Sequence, residues 1–187
     1  MGLFSLFSGQ RHPSYLGIDL GFGGVKLVEL RNEKGRARLT TYAYANLPTD
    51  TMDQSLLNDP AAAVELLKSM LGKARTTTKK VITALPISAI FSSILNVPSI
   101  DDKEMRELVT AQAKKLIPLP LEEVSLDIKV VEKSEKKEGV KPSTRVLITA
   151  APKTLVNKYV DIFKQAGLEL VSLETEAFAE IRSLVGK

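Results

Sequence analysis

The sequence predicts a mixed α/β protein in which a second, smaller α/β unit is inserted into a first. Strand-length apolar runs alternate with amphipathic helical stretches in the order βββαββαββαβα, and a segment beginning near residue 86 separates a first sheet from its final strand. A hydrophobic content of 44% over 187 residues supplies a sizeable core. No repeat of solenoid period interrupts the pattern.

Tyr15 to Asp19 is a short apolar run closed by an acid and followed by Gly21, Gly23 and Gly24, which reads as a buried strand entering a tight turn. Val25 to Leu30 resumes as strand, Asn32-Glu33-Lys34-Gly35 is a polar turn, and Arg38 to Ala45, rich in Thr and Tyr, makes a third strand. An antiparallel meander is the economical reading. Pro48 to Pro60 is a polar connection whose last two residues, Asp59-Pro60, supply an N-cap and a proline at the first helical position. Val64, Leu67, Leu71 and Ala74 then share one helical face. Lys79 to Leu85 is a strand ended by Pro86, and Phe91 to Val97 another ended by Pro98. Ser99 or Asp101 caps a helix with Met105, Leu108, Val109, Gln112 and Leu116 as its stripe, and that helix must stop before Pro118.

Leu126, Ile128 and Val130 alternate with Asp127 and Lys129, as a half-buried strand does. The charged stretch from Glu132 to Pro142 is a hairpin loop, solvated or, alternatively, a docking element. Val146 to Ala151 is a buried strand. Lys153 to Ala166 is a helix with Leu155, Val156, Tyr159, Ile162 and Phe163 inward and Gly167 as its C-cap. Leu168 to Leu173 is the final strand, and Glu174 to Val185 a last helix.

The net charge of +4 suits an acidic partner or an anionic surface, but acids and bases are interspersed, so no nucleic acid is expected as a partner. The absence of cysteine excludes disulfides and thiolate metal sites, and a single His12 argues against zinc chemistry and a Ser-His-Asp triad. The apolar start Met1 to Gly9 is too short and lacks the basic residues of a secretory signal, and Leu6 stands where a myristoylation signal wants Ser or Thr. It reads as a packing arm or a weak interfacial contact. No apolar run approaches the ~20 residues that cross a bilayer, so membrane contact is expected only through partners.

Gly17-Ile18-Asp19-Leu20-Gly21-Phe22-Gly23-Gly24-Val25-Lys26 places an acid at a strand end, glycines in the turn and a lysine on the return strand. Glycine lets backbone N–H groups approach phosphate oxygens, Lys26 would neutralise the phosphate, and Asp19 would hold a metal indirectly, through a bound water. The bland alternative is a glycine-rich turn with Lys26 in solvent. The motif is neither a P-loop nor a dinucleotide fingerprint, because no Gly-Lys-Ser/Thr follows and strand rather than helix comes next.

This hairpin resembles the phosphate-1 loop of the actin, Hsp70 and sugar-kinase superfamily, with Asp19, Gly21 and Lys26 in the motif positions. Many relatives follow the glycine with Ser or Thr where this chain has Phe22 and Gly23. A narrower resemblance is to the PilM family of type IV pilus assembly proteins, related in fold to the division protein FtsA. It rests on Val81 to Pro86, Val97-Pro98, Gln112 to Asp127, Val146 to Lys153, Ala166-Gly167-Leu168 and Glu174 to Ala179, in order from about Tyr15 to Leu184.

The resemblance implies an α/β, partial actin-like ATPase fold. Residues 1–14 are an N-terminal arm, 15–85 with 166–187 an incomplete subdomain 1A carrying the β-meander, and 86–165 an inserted α+β subdomain 1C. It implies a cytoplasmic scaffold, peripheral at the bacterial inner membrane, rather than an enzyme. Its partner is the N-terminal cytoplasmic tail of PilN, of Asn-Leu-Leu-Pro type, held in a groove between the subdomains near Leu85, Pro86, Ile117, Pro118, Leu119, Pro120 and Leu121. Other pilus assembly components and self-association follow from the same resemblance. Nucleotide and phosphate binding falls to Asp19, Gly21, Phe22, Gly23, Gly24 and Lys26. ATP and Mg belong to full-length members, and the chain as given is expected not to hold them stably, since a second phosphate loop and an adenosine segment are missing from it. The alternatives are a sugar-kinase-like phosphotransferase, an FtsA-like filament former and a type II secretion platform component.

Overall fold

The computed structural model describes residues 13–21, 23–46, 56–134 and 142–185. Expectations for the N-terminal arm up to His12, for Phe22, for the connection at 47–55 and for most of the charged loop, 135–141, lie outside the described residues. In chain order the elements are β1 (Ser14–Gly21), β2 (Gly24–Glu33), β3 (Arg36–Asn46), α1 (Pro60–Ala74), β4 (Lys80–Leu85), β5 (Phe91–Pro98), α2 (Asp102–Leu116), β6 (Val124–Lys133), β7 (Ser143–Pro152), α3 (Lys153–Gln165), β8 (Glu169–Thr175) and α4 (Glu176–Val185). The chain divides into two compact units, residues 1–85 with 158–187 and residues 86–157, the second division falling within α3.

The first unit holds a five-stranded sheet in the order β3-β2-β1-β4-β8, with the meander antiparallel and β1, β4 and β8 parallel. Period-2 alternation decides which face is covered. Leu16, Ile18 and Leu20 pair across β2 with Glu29, Leu27 and Val25, and all six are buried. Val81, Thr83 and Leu85 on β4 are buried as well, with Thr83 Oγ1 donating to the Ile18 carbonyl at 2.6 Å. On α1 the row Ala63, Val64, Leu67 and Met70 is buried, so Met70 rather than Leu71 or Ala74 completes the inward stripe. Asp59 caps this helix by accepting from Ala62 N at 3.0 Å. α3 adds Tyr159, Ile162 and Phe163 to the core, while Leu155 and Val156 in its first turn are half-buried.

Buried Glu29 accepts the Thr77 backbone N–H at 2.7 Å and the Thr77 hydroxyl, pinning the loop after α1 to β2. A buried carboxylate without such donors would carry a large desolvation cost. These two bonds explain why an acid sits in an otherwise apolar face.

The second unit is an antiparallel three-stranded sheet, order β5-β7-β6, packed against α2. Asp101, not Ser99, caps α2, accepting from Lys103 N at 2.9 Å and Glu104 N at 3.1 Å. The i, i+4 row Met105, Val109, Ala113 and Ile117 faces the sheet residues Leu95, Val97, Val146, Ile148 and Ala150. The neighbouring row is therefore marginal: Leu108 is half-buried and Leu116 is 46% exposed. Short 3-10 turns follow Pro86 and Pro120, whose carbonyls accept from Ala89 N and Glu123 N.

Candidate functional site

β1 and β2 form a hairpin whose register runs to Gly21 opposite Gly24, leaving two residues in the turn. The same register sets Asp19 directly opposite Lys26, and Lys26 Nζ lies 3.0 Å from Asp19 Oδ2. Both side chains are largely exposed, at 48% and 70%, so each can exchange its partner for water or an incoming ion. Gly21 stands against this pair, because a Cβ there would lie 3.3 Å from the Asp19 carboxylate.

Gly24 has φ +137°, and a Cβ on it would lie 2.1 Å from the Ala45 carbonyl oxygen of β3. Only glycine fits at that crossing of β2 and β3. Gly23, in contrast, has nothing within 4 Å of the place a Cβ would occupy, so the turn is open on that side.

Two residues of later segments join this end of the sheet. Tyr159 on α3 has its hydroxyl pKa raised from 10.0 to about 12, first by burial and then by the charges of Asp19 and Glu176. Sequence periodicity marked Tyr159 only as an inward helix residue, and no local signal connected either residue to Asp19. Thr175 Oγ1 accepts from Phe178 N at 3.4 Å where α4 begins, and Arg182 pairs with Glu174 at 2.9 Å. No cluster of three or more His, Cys, Asp or Glu side chains suited to a metal occurs among the described residues.

The raised Tyr159 value has a consequence for stability. The folded state keeps a proton that the unfolded chain loses near pH 10, so the contribution is intact below pH 10 and is lost as the pH rises to about 12. Urea midpoints measured across that interval should fall, and Tyr159→Phe should remove part of the fall; an unchanged slope in the variant would contradict the assignment.

The residues expected near a partner peptide divide by exposure. Leu85 and Ile117 are buried, at 5% and 6%, the first in the sheet of its own unit and the second in the core beneath α2. Leu121 is half-buried against that same core, and Pro86 is also half-buried. Pro118, Leu119 and Pro120 are exposed, Leu119 at 39%. Prolines on both sides of Leu119 fix φ at 118 and 120 and stiffen the segment, which bends at Pro118 and Leu119.

The chain matches the family model described as type IV pilus assembly protein PilM over residues 17–185. It is similar to a solved structure described as a PilM-PilN type IV pilus biogenesis complex, at 30% identity and TM-score 0.76, over 91% of this chain. It spans about half of that structure's chain, 49%. A second likeness is to the cytoplasmic domain of EpsL, an inner membrane component of the type II secretion system of Vibrio cholerae, at 11% identity and TM-score 0.56. That match covers 87% of this chain and 57% of the other, and it concerns fold alone. A Bacteroides thetaiotaomicron protein described as having an actin-like ATPase fold is also similar, at 14% identity and TM-score 0.44, over 94% of this chain and 59% of the other. The mixed α/β class is the class that the sequence predicts.

Proposed function

The chain belongs to the PilM family of type IV pilus assembly proteins, and from that premise we propose that it binds the N-terminal tail of a PilN-type membrane protein. The reading is carried by the 30% identical likeness to a PilM-PilN complex over 91% of the chain. The exposed Pro118-Leu119-Pro120 segment supports it, because a stiffened apolar stretch loses little conformational entropy when an extended peptide docks. In this reading the protein works by binding, as a cytoplasmic scaffold held at the inner membrane by its partner and linking the membrane platform to the pilus motor. A column carrying a synthetic tail of Asn-Leu-Leu-Pro type should retain the chain, and one carrying the reversed sequence should not. Equal retention by both, or by neither, would reject the proposal.

We further infer that the hairpin alone does not hold MgATP tightly. A phosphate must compete with Asp19 for Lys26 in a solvent-exposed setting, where each charge contact contributes only about 1 kcal/mol or less. Asp19 and the backbone N–H groups of the turn fit a Mg-bound phosphate in kind, but they supply too few contacts for micromolar affinity. Titration calorimetry with MgATP should show no saturable heat in the micromolar range, and a micromolar isotherm would contradict this.

A further inference from the structure

β3 is an edge of the five-stranded sheet: one side of it pairs with β2, and no strand joins the other side among the described residues. Edge strands are commonly protected from pairing with a further chain by charge, proline or brevity. β8, the opposite edge, has 7 residues and carries Glu169 and Glu174. In the second unit β6 carries Asp127, Lys129, Glu132 and Lys133, and β5 closes on Pro98. β3 has 11 residues, and over 39–46 it contains neither a charge nor a proline.

The two faces of this strand differ. Thr41, Ala43 and Ala45 are half-buried, with Thr41 Oγ1 donating to the Ala74 carbonyl of α1 at 2.9 Å, whereas Tyr42 and Tyr44 on the other face are 64% and 69% exposed. Tyr42 lies opposite Val28 and Tyr44 opposite Lys26 on β2, and these four with Leu39 line an open groove of about 510 Å³. Contiguous apolar surface beside a free hydrogen-bonding rim marks a binding face rather than scattered exposure.

The chemistry of the edge fits its own copy. Residues directly opposite in an antiparallel pair share a face. Two β3 strands paired antiparallel about Ala43 set Tyr42 of one copy opposite Tyr44 of the other, twice by symmetry, and Thr41 opposite Ala45 on the other face. The tyrosines form aromatic cross-strand pairs, and the small residues meet without crowding. Arg36 and Arg38 of the two copies fall at opposite ends, outside the paired stretch, so no like charges face each other, and Arg38 is already paired with Glu33 at 2.9 Å. An acidic strand from another protein would meet no cation on β3 over residues 39–46.

We propose that β3 pairs with β3 of a second copy, antiparallel and centred on Ala43, joining two five-stranded sheets into one. A two-fold contact of this kind closes on itself and stops at a dimer. Residues 41–45 with the tyrosine rings of both copies cover no more than the ~1,200 Å² of the smallest stable interfaces, so the dimer is weak, with a Kd on the order of 100 μM. This pairing is independent of how the PilN-type tail is held.

Sedimentation equilibrium of the full chain should show a monomer–dimer equilibrium of that strength. Tyr42→Lys with Tyr44→Lys places like charges opposite each other and should weaken the dimer at least about tenfold, whereas Tyr42→Lys with Tyr44→Glu places opposite charges there and should restore part of the loss. Val171→Lys, at an exposed position of the β8 edge, should leave the dimer unchanged. Because the chain has no cysteine, Ala43→Cys reports the axis even if the charged variants do not fold. Its two copies come within about 5.5 Å and should cross-link on mild oxidation, while Leu39→Cys lies about 26 Å from its counterpart and should not. Circular dichroism checks the folding of each variant. A single monomeric species up to about 1 mM, equal weakening by the two charged pairs in folded chains, loss of the dimer on Val171→Lys, or cross-linking of Leu39→Cys as fast as of Ala43→Cys would each overturn the proposal. So would an edge that takes a strand of another protein while the chain itself stays monomeric.

Discussion

Gly24→Ala is expected to lower the stability of the chain by about 3 kcal/mol, whereas Gly23→Ala should shift it by less than about 0.5 kcal/mol. The contrast follows from what a single methyl group meets. At Gly24 it lies 2.1 Å from the Ala45 carbonyl oxygen and 3.1 Å from Asn46 Cα, backbone atoms of a paired strand that cannot rotate aside. The φ of +137° adds a conformational cost that alanine bears and glycine does not. At Gly23 the methyl meets nothing within 4 Å. Relief at Gly24 would require β2 and β3 to separate locally, and Lys26 lies two residues farther along the displaced strand. Urea denaturation of the two variants measures the difference directly, and coincident midpoints would show that the hairpin is not closed as described.

Leu119→Asp is expected to weaken capture of the PilN-type tail by about thirtyfold, equivalent to losing roughly 2 kcal/mol from one apolar anchor. Leu119 is the informative position because it is 39% exposed, so a carboxylate there remains hydrated in the free chain and stability should change little. Leu121→Asp is less clean, since Leu121 packs against the core beneath α2 and its substitution would also destabilise the second unit. Capture assays on both variants, with denaturation midpoints alongside, separate a binding loss from a folding loss. Undiminished capture by folded Leu119→Asp would remove this segment from the binding surface.

The elements were legible where local chemistry is decisive. The alternation in β6, the Asp59-Pro60 start of α1 and Gly167 beyond α3 each report a backbone requirement that neighbouring residues impose. The choice between adjacent helical rows was less legible. Met70 instead of Leu71, and Ala113 beside an exposed Leu116, depend on how closely each helix approaches its sheet, and only tertiary packing sets that. Apolar character also does not state its partner: Ile117 and Leu119 look alike in sequence, yet one fills a core and the other faces water. The approach of Tyr159 and Glu176 to Asp19 had no sequence signal. It arises because β4 pairs with both β1 and β8, bringing together residues more than a hundred positions apart.

Anisotropy of a labelled PilN-type tail, titrated with the chain, tests tail recognition with the fewest assumptions. A saturable rise that disappears when the two leucines of the peptide become serine is the expected result. A flat titration with properly folded chain, or an identical rise with the serine peptide, would show that this protein does not recognise such a tail.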